Sequence, residues 1–524
     1  MPGAADSANN KKSRRKSGLA YWMRRVLKQC DQVSQDLAAD PVHDLRVALR
    51  RCRSMADGLR AIDPDKSWKQ MKKASKPLFQ SLGNLRDMQV MMEWVERLGG
   101  GDDVVAKALQ DFITTREREL KQEAQKALHA FDRKAWNSWS KELPRRAARV
   151  RLGSAVFKHL ALERWMEARR LQAPALRTLS PMALHRLRIG LKRFRYTVEN
   201  FLPQLDSNWS DALKELQDIL GEVHDLDVLW NTANQIKAFA DEEARTRWHG
   251  RIREERQQRI EKYREKMTGE KPLWELWRAE LPQGEQIRSI AISRLKIWAS
   301  FLDPDFLHSQ RVADLATQLY DGLSSHGVRL YGGDHELRTI LYAAALMHDV
   351  GLVGKRKGHH KKSSRLIRRL TPPLGLTAED LKLAGAVARY HRGALPQARH
   401  NALRSLTAEQ KTKALWLAAI LRFVNALDSR DASRVPRRQV TSLEVRNADG
   451  RGKDPALYVY AQGFSRFSRL ADTVAAARYL LEVMLRRPVI VRRLTGNNSR
   501  PSRSSAKTIL PTRAQNQVGV KPAA

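Results

Sequence analysis

A basic helix that begins with histidine occurs twice in this chain. The segment HDLRVALRRCR, residues 43–53, returns as HRLRIGLKRFR, residues 185–195. On an α-helix, the residues three, seven and ten positions after a given residue lie on the same face of the helix as that residue. The two basic faces comprise His43, Arg46, Arg50 and Arg53 in the first copy and His185, Arg188, Lys192 and Arg195 in the second. Like charges this close repel each other, so we predict that the two helices face each other and hold a strongly anionic partner.

The repeat continues beyond these helices. KPLFQSLGNLRDMQV, residues 76–90, aligns with KELQDILGEVHDLDV, residues 214–228. Three residue types stay in register, which pairs Lys76 with Lys214, Gly83 with Gly221, and Asp87 with Asp225. Residues 18–285 are therefore predicted to form two pseudo-symmetric copies of one helical unit.

The charge of the whole chain also favours a polyanionic partner. Lysine and arginine total 96 against 57 acidic residues, which gives a formal net charge of +39. Inorganic polyphosphate, nucleic acid and an anionic membrane all fit this charge. Residues 1–17 and 496–524 are basic, polar and without periodicity, so we expect them to be disordered tails.

The cysteine count and the hydropathy indicate the cellular compartment. The two cysteines, Cys30 and Cys52, lie in helical patterns and exclude a disulfide scaffold. No apolar run is long enough to cross a bilayer, and no secretory signal is visible. We therefore predict a cytoplasmic protein, which associates with polyphosphate granules if that polymer is its ligand. The sequence does not indicate the oligomeric state.

The second half of the chain has a different pattern, and we place the boundary near residue 286. The pattern is helical to about residue 430. Short β-like runs then follow at 440–445 and 456–461, before a helix at 468–485 and a last apolar strand at 489–491. The predicted fold class is mainly α: a two-lobed helical bundle, then a helical domain over 286–495 with a small α+β extension.

Histidines and aspartates in this second half predict a metal site. A divalent ion of hard or borderline character prefers neutral imidazole together with carboxylate oxygen. A His-Asp doublet at the end of an apolar helix presents both donor types to one ion. The candidate ligands are His308, His348, Asp349, His359, His360, His391 and Asp428. We interpret His326, His335 and His400 as packing or capping residues.

The first half resembles a CHAD domain, the conserved histidine α-helical domain, in its twinned histidine helices and paired Gly and Asp residues. The resemblance implies an all-helical, two-lobed fold with a basic pore that binds inorganic polyphosphate. It assigns the two basic faces to the ligand, with support from Lys72, Lys76 and Lys214. The basic faces lack interleaved aromatic residues, which single-strand nucleic-acid binders usually have. A merely solvated basic face is the alternative interpretation.

The second half resembles an HD-type metal phosphohydrolase domain. His308, His348, Asp349 and Asp428 match its core ligands, and His359 or His360 with His391 match the positions of a second metal. GHHKKSSRLI (358–367) and ARYHRGALP (388–396) resemble the C-terminal domain of exopolyphosphatase/guanosine pentaphosphate phosphatase proteins. The resemblance implies one or two divalent ions, such as Mg²⁺ or Mn²⁺.

These resemblances leave three functions open. In an enzyme, Asp349 would bridge metals or orient the nucleophile, while cations such as Lys355 and Arg392 would neutralise phosphate charge. In the phosphatase relatives, however, catalysis is assigned to a preceding actin-like domain, which this chain lacks. The second reading is therefore a non-catalytic polyphosphate-binding scaffold, and the third is nonspecific nucleic-acid binding. The substrate and the metal remain open.

Overall fold

The computed structural model describes residues 18–35, 37–100, 103–328, 335–353, 357–397, 399–428, 440–447, 456–464 and 470–494. Over these residues the fold is mainly helical with a small sheet, so the predicted fold class is confirmed. The two predicted tails and the predicted catalytic residue Lys355 lie outside the described residues. No described helix is long and apolar enough to cross a membrane.

The first half folds into helices whose ends the sequence marks. They are α1 (Leu19–Gln35), α2 (Ala39–Leu59), α3 (Ser67–Ala74), α4 (Lys76–Leu98), α5 (Val104–His129), α6 (Arg133–Ala147), α7 (Ala155–Thr178), α8 (Pro181–Phe201), α9 (Pro203–Gln235), α10 (Glu242–Thr268) and α11 (Leu273–Ala279). Asp103, Asp132, Ser180 and Asp241 precede α5, α6, α8 and α10 and accept hydrogen bonds from backbone N–H groups of the first turn. Such caps satisfy donors that the helix itself leaves unpaired.

The duplicated helices are α2 and α8, and they pack against each other as predicted. The apolar stripes opposite their basic faces, which include Leu45 and Leu187, are buried in one hydrophobic core. A side chain at Gly58 of α2 would collide with the ring of Phe201 at the end of α8. The glycine therefore permits the close crossing that brings the two basic faces together.

The second half is a helical layer with a small sheet at its end. Its elements are α12 (Glu285–Leu302), α13 (Phe306–Ser325), α14 (His335–Met347), a 3-10 turn (Val350–Leu352), α15 (His359–Arg369), α16 (Ala378–Arg389), α17 (Asn401–Arg404), α18 (Ala408–Leu427), β1 (Leu443–Asn447), β2 (Leu457–Ala461), α19 (Leu470–Leu485) and β3 (Val489–Arg493). Strands β1 and β2 pair antiparallel, and β2 and β3 pair parallel. The sheet packs on α13, and a continuous hydrophobic core runs from α12 to β3. The predicted α+β extension is therefore present.

A buried polar cluster joins the two halves. His159 of α7 is fully buried; its Nε2 donates to the carbonyl of Leu374 at 2.9 Å, and its Nδ1 lies 3.0 Å from Arg294 Nη1. Arg294 of α12 is 7% exposed and donates to Glu163 at 2.5 Å. Glu163 also accepts from the Leu374 amide at 2.9 Å. Because His159, Glu163 and Arg294 each have a partner from another element, this cluster fixes α7 against α12.

Candidate polyanion site and metal centre

Four cations from the two duplicated helices form what we call the cationic cluster: Arg46, Arg50, Arg188 and Lys192. Each is half-buried. Burial is the main cause that lowers the pKa of Lys192 to about 7, and the three neighbouring guanidinium groups lower it further. Burial also lowers the pKa of Arg46, although Asp87 opposes the shift. The fold thus concentrates positive charge where water is partly excluded.

Several donors in and beside the cationic cluster lack acceptors. Arg50 Nε, Arg188 Nε and His185 Nδ1 are buried, and none has a hydrogen-bond partner among the described residues. Leaving buried donors unpaired costs free energy, which an anion bearing several oxygens recovers when it binds. The guanidinium of Arg50 lies 5.5 Å from the centroid of the Tyr196 ring.

The repeated aspartates and glycines occupy equivalent places in the two copies. Asp87 Oδ1 lies 3.9 Å from Arg46 Nη1. Burial is the main cause that raises the pKa of Asp225 to about 6, and Arg188 opposes the shift. A Cβ at Gly83 would lie 3.9 Å from Arg46 Nη2, and one at Gly221 would lie 4.0 Å from Arg188 Nε. The internal repeat of the sequence is therefore visible in three dimensions around the same two arginines.

The other predicted polyphosphate ligands lie outside the cluster or have partners within the protein. His43, Lys76 and Lys214 are exposed. Arg53 donates to the Lys72 carbonyl and to Ser75 Oγ, at 2.5 and 3.0 Å. The Lys72 ammonium pairs with Asp57, and Arg195 approaches Glu199 at 4.0 Å. Their role as ligands remains a prediction.

His224 is a member of this site that the sequence reading missed. Its ring lies 4.8 Å from the ring of His185, centroid to centroid. Burial, followed by the charge of Arg188, lowers its pKa to about 4, so the ring is neutral at pH 7. In the aligned repeat, His224 occupies the position of Arg86 in the first copy. This difference between the copies could have identified His224 from the sequence.

The metal-ligand candidates converge because helix ends meet. His308 lies in the first turn of α13, the doublet His348-Asp349 follows α14, His359 begins α15, and His391 follows α16. Two groups share Asp349: His308, His348 and Asp349, and Asp349, His359 and His391. Within each group the potential ligand atoms all lie within 4.8 Å of one another.

A tight turn places the doublet against α15. The amide of Gly351 donates to Ser363 Oγ at 2.8 Å. A side chain at Gly351 would collide with the backbone of His359 and Ser363. The glycine after the doublet therefore lets Asp349 approach the start of α15.

The rings of His348 and His391 are oriented so that their Nε2 atoms face the carboxylate of Asp349. His348 Nδ1 donates to the Ala345 carbonyl at 2.7 Å, and His391 Nδ1 donates to the Ala388 carbonyl at 2.8 Å. These bonds leave the Nε2 lone pairs available, which is the usual outer-shell arrangement of metal-binding histidines. His391 Nε2 lies 3.6 Å from Asp349 Oδ1.

In the second group, formed by Asp349, His359 and His391, the ligand atoms lie close together. His359 Nε2 lies 3.1 Å from Asp349 Oδ1 and 3.2 Å from His391 Nε2. His348 Nε2 is buried without a hydrogen-bond partner among the described residues, whereas Asp349 Oδ1, also buried, is approached by the Nε2 atoms of His359 and His391. Burial alone would raise the pKa of Asp349, but the charges of His348 and the other imidazoles hold it well below its usual range. Converging imidazole nitrogens around an ionised carboxylate fit a divalent cation.

Asp428 belongs to neither three-residue group but contacts His308, a member of the first. Its Oδ2 lies 2.7 Å from His308 Nδ1 and 3.0 Å from Arg311 Nη2. His308 Nε2 lies 3.1 Å from Asn425 Oδ1. The sequence reading missed Arg311 and Asn425; Arg311 follows His308 by three positions and Asn425 precedes Asp428 by three, a helical spacing that was the available signal.

The remaining candidates lie around the centre. His360 belongs to neither group; burial, and then the charge of Arg389, lowers its pKa to about 4. Arg392 is exposed. Asp303, which the sequence reading missed, accepts from Ser309 Oγ at 2.6 Å; burial raises its pKa, with the charge of Asp349 adding to the shift.

Comparison with family models assigns both halves. Residues 19–234 match the CHAD domain, and residues 287–456 match the Ppx/GppA phosphatase, domain III. The chain joins a CHAD domain to a Ppx/GppA phosphatase domain III. The predicted resemblances to a CHAD domain and to the C-terminal domain of exopolyphosphatase/guanosine pentaphosphate phosphatase proteins are thereby confirmed, whereas the resemblance to an HD-type metal phosphohydrolase remains a prediction. A search of curated proteins finds no match to the chain.

The CHAD domain contains the whole cationic cluster, and domain III contains every described metal-ligand candidate. The pairing of these two domains is consistent with a function related to polyphosphate. The predicted domain limits, 18–285 and 286–495, are wider than the two matches and remain a prediction.

Proposed function

We propose that the protein binds inorganic polyphosphate at the CHAD cationic cluster and hydrolyses phosphate bonds at a divalent-metal centre in domain III. The observation that carries the catalytic part is the position of Asp349. This largely buried carboxylate is shared by two three-residue ligand groups, and its Oδ1 is approached by Nε2 of both His359 and His391. A site of this composition gains most from one or two cations.

The physical case for polyphosphate rests on charge. The polymer carries about one negative charge per phosphate and no bases. It therefore relieves the mutual repulsion of the cationic cluster and supplies oxygens to Arg50 Nε and Arg188 Nε. The two basic helix faces carry no interleaved aromatic residues, and the ring of Tyr196 beside the cluster lies against the Arg50 guanidinium. This favours a phosphate chain over a single-stranded nucleic acid, which usually stacks bases on open rings.

At the metal centre we assign His348, Asp349, His359 and His391 as the residues that hold the ion. Bound metal lowers the pKa of a water molecule and polarises a phosphoryl oxygen. The Nδ1 bonds of His348 and His391 fix the tautomer in which Nε2 accepts. Asp428 and Arg311 orient the ring of His308.

Cations near the centre would stabilise phosphate charge. Arg389 Nη1 is buried without a hydrogen-bond partner among the described residues, and burial lowers the pKa of this guanidinium. An acceptor oxygen of the substrate would satisfy it. Arg392 follows His391 directly and is exposed, so it can meet the substrate from the solvent side. We propose Arg389 and Arg392 as substrate-binding residues.

A non-catalytic polyphosphate-binding protein is the second candidate. It is favoured by the contacts of His308, whose two ring nitrogens already face Asp428 and Asn425. If His308 stays bound to Asp428 and Asn425, one cation bound by Asp349, His359 and His391 would serve a structural role.

Phosphate release separates these candidates. Purified protein is incubated with long-chain polyphosphate and Mg²⁺, Mn²⁺ or EDTA, beside Asp349→Ala. The exposed residue Asp472 of α19 provides the matched control, Asp472→Ala. We expect metal-dependent release that Asp349→Ala abolishes and Asp472→Ala retains. Retained binding without release in any metal would contradict the enzyme and support the binding protein.

A further inference from the structure

An open cleft of about 400 Å³ lies where the two halves of the chain meet. Leu162, Trp165 and Met166 of α7 form one wall, and Leu374 from domain III contributes to the other. Arg278 of α11 and Arg288 of α12 supply its charge, and none of the described residues that line it is acidic. Clefts of this size at domain boundaries, with apolar walls and few polar groups, are typical of small-molecule sites.

Arg288 indicates what kind of ligand the cleft selects. Its Nε and Nη2 atoms form one edge of the guanidinium; both are buried, and neither has a hydrogen-bond partner among the described residues. Glu336 Oε1 lies 3.6 Å from Nη2, which is an ion pair beyond hydrogen-bond distance. Although Glu336 partly balances its charge, a guanidinium edge that meets no hydrogen-bond acceptor is shaped for two oxygens of one phosphate or carboxylate.

Trp165 gives the cleft a fixed aromatic wall. Its Nε1 donates to the Trp274 carbonyl at 3.1 Å, and its ring meets the Trp274 ring edge to face at 5.8 Å between centroids. The guanidinium of Arg278 lies 6.0 Å from the Trp165 centroid. A rigid indole bordered by two cations suits a planar ring that carries an anionic group.

We propose that this cleft binds a nucleoside monophosphate, with the base against Trp165 and the phosphate on the Nε–Nη2 edge of Arg288. The cleft shares no residue with the cationic cluster or the metal centre, so this function is additional to the proposed one. Because α7 and α12 both line the cleft, the ligand also stabilises the junction that His159 and Arg294 hold together.

The test uses AMP as the probe and equilibrium dialysis of the full-length protein at physiological salt. We expect Arg288→Gln to weaken AMP binding about tenfold or more, because it removes a charge-assisted bidentate contact. Adenosine and inorganic phosphate, each tested alone, should bind more weakly than AMP. Met166 is 45% exposed, so Met166→Glu should fold normally and still weaken binding by placing a carboxylate in the cleft.

The strong basic charge of the chain makes a second variant necessary. Arg188→Gln removes a cation from the cationic cluster, and it should leave AMP binding unchanged. If AMP binding is lost in Arg188→Gln, or retained in both cleft variants, the proposed site is wrong. Polyphosphate binding and phosphate release, measured on the same variants, separate this outcome from failure of the proposed function, since the cleft variants should keep both.

Discussion

Polyphosphate binding at the cationic cluster should take up protons, and Lys192 should be the main source of this linkage. In the free protein burial and three neighbouring arginines lower the pKa of Lys192 to about 7. A bound polyanion cancels that repulsion and raises the pKa again. A lysine with a pKa of about 7 is about one quarter protonated at pH 7.5, so full charging takes up about three quarters of a proton per site.

The direction in which affinity changes with pH follows from the protonation of Lys192 in the unbound protein. Below pH 7 the lysine is already charged and adds its full attraction, whereas above pH 7 each binding event must also bind a proton. Affinity therefore falls as pH rises through 7, with a limiting loss of about tenfold per pH unit. Asp225, whose burial raises its pKa to about 6, faces Lys192 and Arg188 and contributes in the same direction below pH 7. His185 and His224 adjoin them and contribute at lower pH, since their pKa values are lowered.

The matched variant is Lys192→Arg, which gives the second copy the arginine that the first copy has at residue 50. It keeps the charge but removes the titration, because an arginine stays protonated. Calorimetric titration with polyphosphate at pH 7.5, in two buffers of different ionisation enthalpy, measures proton uptake. Terminal phosphates of the polymer titrate equally against both proteins. Equal proton uptake by wild type and Lys192→Arg would refute the reasoning.

Three further predictions follow from single contacts. Arg188→Gln should weaken polyphosphate retention and reduce the slope of log affinity against log salt by about one, as salt-series binding measurements can show. Mn²⁺ should raise the melting temperature of the wild type and of Asp472→Ala but not that of Asp349→Ala, in thermal-shift measurements; equal shifts in all three would place the ion elsewhere. Gly58→Ala should destabilise the fold by about 1–3 kcal/mol, because its methyl group meets the Phe201 ring; unchanged urea denaturation would contradict this contact.

Much of the fold was predictable because the spacing of apolar residues along the sequence indicates which side chains are buried. The stripe that includes Leu45 and Leu187 repeats every three to four residues, and a helix must bury such a stripe. The second histidine helix carries its repeat in the sequence itself, so the packing of α2 on α8 followed from symmetry. The small sheet was predictable from its short apolar runs beside turn residues.

The environment of single side chains was less predictable, because it depends on which elements meet. Nothing in the local sequence distinguishes Lys192 from a solvated lysine; burial, and then three arginines, one on its own helix and two on α2, lower its pKa. His159 and Arg294 are far apart in the chain, and their contact exists only after α7 packs on α12. The doublet His348-Asp349 was visible because both donors are adjacent in sequence, whereas its neighbour Asp303 carries no motif.

The most direct test of the account measures phosphate release against polyphosphate concentration for three proteins: wild type, Arg188→Gln and Asp349→Ala. If the CHAD domain captures the polymer and the domain III centre cleaves it, Arg188→Gln raises KM and leaves kcat near the wild-type value. Asp349→Ala abolishes kcat while the protein still binds polyphosphate. An unchanged KM in Arg188→Gln would contradict capture by the cationic cluster, and retained turnover in Asp349→Ala would contradict the metal centre.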